Sequence, residues 1–432
     1  MSDQKLDRRH FITKTAVGSA AAGLAIAQTA GGEEKSANNQ IVVGVMGLSR
    51  GRSLAATFSK QPNVVVKYIC DVDATRADSC AKMLASQFGK NPQPQAVGDF
   101  RTILDDKEVD VLVCAAPNHW HAPATILGCD ADKHVYVEKP CSHNPREGEL
   151  MVEAARKHKR AVQMGTQRRS SPGWIEAVRQ LREGVIGRVY LSRAWYYNLR
   201  GSIGRGRQVN PPGHLNYDLW QGPAPRVEYR DNVVHYNWHW RWHWGNGELG
   251  NNGVHTLDLC RWGLGVDLPL RVTSSGGRYH HDDDQDTPDT HTVSFDFGDR
   301  RSITWLGLSC NRHGGGFVSF YGDSGSMDLT SGGGYSIFDR GDKLVKEGGG
   351  NEVGESQHVA NFVAAIRSDK PLSLNAEIGT AHKSTLLCHL GNIAQRTDGA
   401  IACDPANGHI KNNPAAMRLW SREYEKGWEP KV

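Results

Sequence analysis

Three groups of residues in this sequence have the types and spacing that chemistry needs. The first is a glycine turn, Gly47-Leu48-Ser49-Arg50-Gly51, with a carboxylate, Asp71, about 24 positions beyond Gly47. Such a turn lets backbone N–H groups and a helix N-terminus face a pyrophosphate, and a carboxylate roughly 20 residues on holds a ribose diol. That carboxylate repels a 2′-phosphate, which favours NAD over NADP; Arg50 and Arg76 nearby soften the preference. A full Gly-x-Gly-x-x-Gly would want glycine at Ser49 and Arg52. Ser49 is small enough for close backbone approach, and Gly51 can supply the turn.

The second group is Pro117-Asn118-His119-Trp120-His121 with Glu138-Lys139-Pro140 and, further on, Asn251 and His255. A desolvated lysine loses several pKa units and histidine starts near neutrality, so Lys139 and His255 can handle protons. Each has a plainer reading: a surface lysine at a strand end, a core or helix-start histidine, and for Asn251 a helix cap. The third group, residues 235–244, alternates Trp with His or Arg. In a strand this puts indoles on one face and polar heads on the other. It reads either as the wall of a sugar pocket, with Arg241 and the histidines bonding hydroxyls, or as a packed domain or oligomer interface. His280-His281-Asp282-Asp283-Asp284 tempts a metal reading, but glycines before it and Pro288 after it favour a solvated loop, and no metal site is assigned.

These groups need a scaffold. Residues 41–46 form a short β-branched run that leads into the glycine turn, and a helical pattern follows through Leu54, Ala55 and Phe58. Residues 64–70 read as a second strand ending at Asp71. Strand, glycine turn, helix, strand and acid is the dinucleotide-binding order. Further strands are expected at 109–114, 134–137 and 161–164, with a loop over 117–121, a helix to about Leu127 and another over 147–158. The expected fold is α/β: a doubly wound parallel sheet over residues 38–164, whose ligands sit at the carboxyl ends of the strands. Gly47, Asp71, Pro117, Asn118, Glu138 and Lys139 all fall there. Residues 165–432 continue with a helix over 172–183 and a strand over 188–196. Alternating runs at 270–272, 291–297, 302–306 and 318–321 suit a mostly antiparallel sheet with one covered face.

On the strength of Glu138-Lys139-Pro140 after a strand, Pro117-Asn118-His119-Trp120-His121 upstream and Gly250-Asn251-Asn252-Gly253-Val254-His255 downstream, the chain from about Gln40 to Arg396 resembles the Gfo/Idh/MocA family. The resemblance implies a nicotinamide covered by an open sheet, and hydride transfer at a carbinol carbon of a sugar, inositol or sugar derivative. It implies that Lys139 contacts the reacting hydroxyl and that Glu138 holds the cofactor side. Asn118 and His121 would line the nicotinamide pocket. Gln167 and Arg168 would lie near the cofactor, Trp195 on the substrate face, and His255 against the substrate oxygen. In inositol dehydrogenase-like members an Asp stands four positions before that histidine; here the position is Asn251, and an amide accepts no proton. Lys139 or His255 alone is then left with the acid/base work, with Tyr196, Tyr197 and Tyr236 as open alternatives. Asn251 also keeps open a sugar-binding protein that has lost catalysis.

Composition narrows the setting. The 432 residues are 38% apolar and 23% charged, with 48 glycines, which describes a soluble chain of two or three domains rich in turns. A net charge of +4 with scattered charges and no run of five or more Lys/Arg gives no case for nucleic acid. Nine cysteines form no CxxC pair and read as mostly free, buried thiols. Arg8-Arg9-His10-Phe11 and the weakly apolar stretch 16–27 read as a twin-arginine export signal within residues 1–37. No segment is apolar and long enough to span a membrane. The expected partners are the twin-arginine machinery, a sugar or polyol and further copies of the chain, in the periplasm or outside the cell. Free NAD is scarce there, so a carried cofactor would have to be held tightly and regenerated in place. That raises a redox-neutral alternative, epimerisation or glycoside cleavage through transient oxidation.

Overall fold

The computed structural model describes residues 40–89 and 93–432. The export-signal reading at residues 1–37 lies outside the described residues. Six parallel strands come first among the described residues: β1 (Ile41–Met46), β2 (Val64–Cys70), β3 (Gln95–Val97), β4 (Val111–Cys114), β5 (His134–Val137) and β6 (Val162–Met164). Their order is β3-β2-β1-β4-β5-β6, so the chain reverses direction across the sheet between β1 and β4. Val43, Val45, Val111 and Val113 on the central strands are fully buried, as a sheet covered on both faces by helices requires. The helix expected to follow a loop begins earlier, at Asn118, and runs to Asp130. It carries the first of the polar groups on its opening turn rather than on a loop before it.

The second part begins with the helix Pro172–Arg182 and the long strand β7 (Val189–Leu199). The strands that follow are β8 (Arg271–Gly277), β9 (Thr290–Phe297), β10 (Arg301–Leu308), β11 (Cys310–Asn311), β12 (Val318–Gly322), β13 (Gly325–Leu329), β14 (Gly334–Asp339), β15 (Leu344–Gly349), β16 (Ala400–Cys403) and β17 (Ile410–Lys411). They build one open sheet in the order β15-β14-β13-β12-β7-β10-β9-β8-β16-β17, with β11 paired to β7. Every pairing is antiparallel except β7 with β10. Alternation along β9 and β10 sends Val293, Phe295, Ile303 and Trp305 into a core shared with the helices Val254–Leu264 and Ile378–Arg396.

Residues 235–244 are not a strand. A short 3-10 turn, Asn237–Trp240, interrupts them. Trp238, Trp240 and Trp244 are buried, and Trp238 and Trp244 pack with Leu215, Tyr217 and Trp220 in a small core of their own. All nine cysteines are free thiols, eight of them buried. Among the described residues no helix is long and apolar enough to cross a membrane.

Candidate functional site

The carboxyl ends of β1, β2, β4 and β5 open into a cavity of about 340 Å³ that the second part closes from the other side. At one end lies the glycine turn. Gly47 has φ of +84°, and a Cβ there would sit 2.5 Å from the backbone nitrogen of Ala116, so only glycine lets the β1 turn approach the β4 turn this closely. Asp71, at the end of β2, is buried and tied into the turn: its carboxylate accepts from the Leu48 N–H at 2.9 Å and the Asp73 N–H at 3.0 Å. Burial pushes its pKa up, and those two bonds oppose the shift. Arg76 stands 3.5 Å from Asp71 and donates to the Ser49 hydroxyl at 2.8 Å, which closes the turn against the helix that follows β2. Arg50 leans the other way. It reaches Glu138 at 3.2 Å and Glu355 at 2.5 Å; burial lowers the guanidinium pKa, but the two carboxylates outweigh it.

The middle of the cavity is built by the turns after β4 and β5. Asn118 donates to the side chain of Asn246 at 3.0 Å, and Asn246 in turn reaches the His143 carbonyl. His121 is buried with both ring nitrogens against carbonyls, Pro140 at 2.6 Å and Ala116 at 2.8 Å. Its work is to clamp the two turns together, and so to set where Lys139 emerges. Glu138 is buried and accepts from the Lys139 N–H at 3.1 Å.

Lys139 and His255 line the same cavity. The Lys139 ammonium donates to the Asn251 carbonyl at 2.7 Å and to the Asn251 side-chain oxygen at 3.0 Å. Desolvation is the largest influence and lowers the lysine pKa, against partial support from the Glu138 and Glu248 charges. Asn251 lies in a π-helical turn, Leu249–Gly253, leading into the helix Val254–Leu264 that bears His255. The extra residue of such a turn re-aims side chains, and these turns gather at functional sites. Burial holds the His255 pKa well below its usual value, reinforced by the positive charges of Arg168, Lys139 and Arg50. Its Nδ1 is buried without a partner. The helix itself is anchored three residues on, where both oxygens of Asp258 accept from Arg169 Nε, at 3.0 and 2.8 Å, and one accepts from the Ser384 hydroxyl at 2.6 Å.

Gly47, Ser49, Arg50, Asp71, Pro117, Asn118, His121, Glu138, Lys139, Gln167, Tyr236, Asn251 and His255 all line this one cavity. Two expected substrate residues do not. Trp195 packs under Gly315 and against Arg193, and Arg241 is held in the wall by Asp284 at 3.0 Å and Asn232 at 3.1 Å. The period-two reading of 235–244 fails because a 3-10 turn breaks the extended backbone and Trp238 and Trp244 fill a small core of their own. Arg168 is also off the cavity, its guanidinium lying over Phe317 and Trp174. The lining also takes in two of the histidines named by the pocket-wall reading of 235–244: His235, bonded to Asp73 at 2.9 Å, and His239, stacked on Trp238, its pKa pulled down to about 3 mainly by burial. The loop reading of residues 280–286 agrees with the structure, but Cys310 comes to lie beside His280 and His281.

A doubly wound sheet with this glycine turn and buried acid, joined to an open, mostly antiparallel sheet whose packed helix Val254–Leu264 supplies a histidine, defines a two-part dinucleotide-binding oxidoreductase architecture. The chain belongs to the Gfo/Idh/MocA oxidoreductase family: residues 39–166 match its NAD-binding Rossmann fold and residues 189–430 its C-terminal alpha/beta domain. It is similar to an inositol 2-dehydrogenase of Salmonella paratyphi B, with 29% identity over 36% of this chain and 44% of that protein. It is also similar to a glycosyl hydrolase family 109 protein of Saccharopolyspora erythraea, with 27% identity over 45% of each. The chain thus aligns with less than half the length of these curated relatives. A levoglucosan dehydrogenase structure in complex with NADH and levoglucosan shares the fold, with a TM-score of 0.67 and 18% identity over 84% of this chain and 99% of that one.

Proposed function

We propose that the chain is an NAD-dependent oxidoreductase acting on a carbinol carbon of a sugar, inositol or sugar derivative. The observation that carries this reading is that Lys139 and His255 line the same cavity as the Gly47 turn and Asp71. The residues present fit a dinucleotide: a turn that a Cβ would fill, and a buried carboxylate fixed at the strand end that would repel a 2′-phosphate. Gly47, Ser49 and Asp71 would hold the pyrophosphate and ribose side, with Asn118, Glu138 and Gln167 toward the nicotinamide. The cofactor, when bound, supplies the two-electron acceptor.

The chain's own groups handle the proton. Lys139, with its pKa lowered, gives up its proton more readily than a surface lysine and, once neutral, accepts one from a carbinol oxygen. His255 stays neutral near pH 7 and offers a hydrogen bond to the same oxygen. With Asn251 beside Lys139, no carboxylate of that turn competes for the proton. Oxidation of a sugar panel with added NAD tests this. Lys139→Ala is expected to lower kcat by about 10²–10⁴-fold and His255→Ala by a smaller factor, with NAD affinity retained in both. Full activity in Lys139→Ala would favour the sugar-binding alternative.

The finer reading is an exported enzyme with a carried cofactor in a redox-closed cycle. It rests on Arg8-Arg9 and on the likeness to a glycosyl hydrolase family 109 protein. It predicts net release of cleaved or epimerised sugar without added NAD. Exposed Tyr197 and Leu199 on β7 support a homo-oligomer. We take the boundary between the two domains at 164/165, a reading supported by the end of β6 at Met164.

A further inference from the structure

Next to the Arg200 backbone, two adjacent histidines and a cysteine from a later strand converge. Among the described residues, His280, His281 and Cys310 are the one group of three or more metal-ligating side chains whose donor atoms all lie within 4.8 Å of one another. Cys310 opens β11 and is the single cysteine of the nine that is not buried. The two imidazoles stand edge to face with centroids 4.4 Å apart. Their backbone is fixed independently of any ion. Asp289 accepts from the Tyr279 N–H at 3.0 Å, the His280 N–H at 3.1 Å and Arg278 at 3.0 Å. Arg278 also bonds the His281 carbonyl at 3.0 Å and the Asp283 carboxylate. Nε2 of His281 lies 3.2 Å from the Arg200 carbonyl, which leaves Nδ1 free. A metal-bound histidine commonly gives its second N–H to a carbonyl in this way.

We infer that His280, His281 and Cys310 bind a transition-metal ion of the zinc class, tying the loop 278–289 to β11 behind the substrate end of the cavity. Two imidazoles and a thiolate are poor ligands for calcium or magnesium and good ones for zinc or cobalt. A tetrahedral ion with bonds of about 2.0–2.3 Å sets its ligands about 3.5 Å apart, so the observed spacing needs only side-chain adjustment. Three protein ligands leave a fourth position for water. Burial and the nearby Asp289 and Asp283 carboxylates raise the Cys310 thiol, although Arg278 opposes them; an adjacent cation favours the thiolate. Arg200, whose carbonyl His281 meets, pairs with Glu248 at 2.6 Å and bonds the Tyr236 hydroxyl at 2.9 Å. Ser309, next to Cys310, reaches the same Glu248. The ion therefore steadies the Arg200–Glu248 pair that backs Tyr236.

Cobalt(II) titration of the reduced, full-length protein tests the site. A thiolate-to-cobalt charge-transfer band should grow to one equivalent and be displaced by zinc. Cys310→Ser should lose the band, and His280→Ala and His281→Ala should bind cobalt roughly tenfold more weakly or worse. Zinc should raise the Tm of the wild type and leave that of Cys310→Ser unchanged. A wild type without the band, or a Cys310→Ser variant that keeps it, would overturn the inference whatever the enzyme's activity on sugars.

Discussion

Lys139 is bound by two oxygens of Asn251 that cannot take its proton, and that choice of residue sets its titration. Replacing Asn251 with Asp would put a negative charge about 3 Å from the ammonium and favour its charged form. The pKa would rise, so the pH above which oxidation reaches its plateau should move up by about 1–3 pH units. Rate–pH profiles of wild type and Asn251→Asp check this, and an unmoved profile would mean that Lys139 is not the titrating base. At this scale much was legible from types and positions. A glycine turn, an acid at the next strand's end and Lys139 after a strand point to one place because parallel strands deliver their ends to one edge. Trp195 and Arg241 were not, since a Trp or Arg on a pattern of alternation says nothing about which neighbours claim it first. Here Gly315 and Asp284 do.

At the scale of elements, the β1 turn and the helix Val254–Leu264 position the two ends of the cavity. Gly47→Ala would place a side chain in the left-handed region and against the Ala116 backbone. Strain of about 1–3 kcal/mol there should weaken NAD binding by roughly 10- to 100-fold, measurable by calorimetry; unchanged affinity would mean that the turn is not the cofactor cradle. The helix depends on Asp258. Asp258→Ala would leave Arg169 buried beside it without its carboxylate, a loss of about 3–5 kcal/mol. Denaturant unfolding should show it, and a loss below about 1 kcal/mol would mean that Arg169 finds water or another partner. Strands of the Rossmann half were readable because runs such as 41–46 and 109–114 are continuous and β-branched. The stretch 235–244 misled because its alternation is a property of composition. Trp238 and Trp244 are drawn into a separate small core, and a 3-10 turn interrupts the extended backbone. The π-helical turn at Leu249–Gly253 leaves no sequence signature at all, since one inserted residue changes hydrogen bonding without changing residue types.

The molecule as a whole buries an unusual set of histidines in neutral form. Burial lowers the pKa of His119, His143 and His255 well below the usual value, brings His134, His291, His358 and His382 to about 4, and brings His389 to about 3. The unfolded chain would protonate all of them near pH 6.5. Between about pH 4 and 6.5 the unfolded state thus binds more protons, and stability must fall as the pH falls. The urea midpoint should drop clearly between pH 7.5 and pH 5; equal midpoints would show that these rings are hydrated or paired. The two-sheet plan was legible from the change of hydrophobic pattern near residue 165, but the parallel pairing of β7 with β10 was not, because register between distant strands is set by packing. The central claim is that the cavity between the sheets holds NAD for carbinol chemistry. The most direct measurement is to purify the protein from the producing cell, denature it and identify released nucleotide by absorbance and mass. The account predicts NAD or NADH near one per chain, lost in Gly47→Ala. A protein that releases no dinucleotide, and binds none when NAD is added, would contradict it.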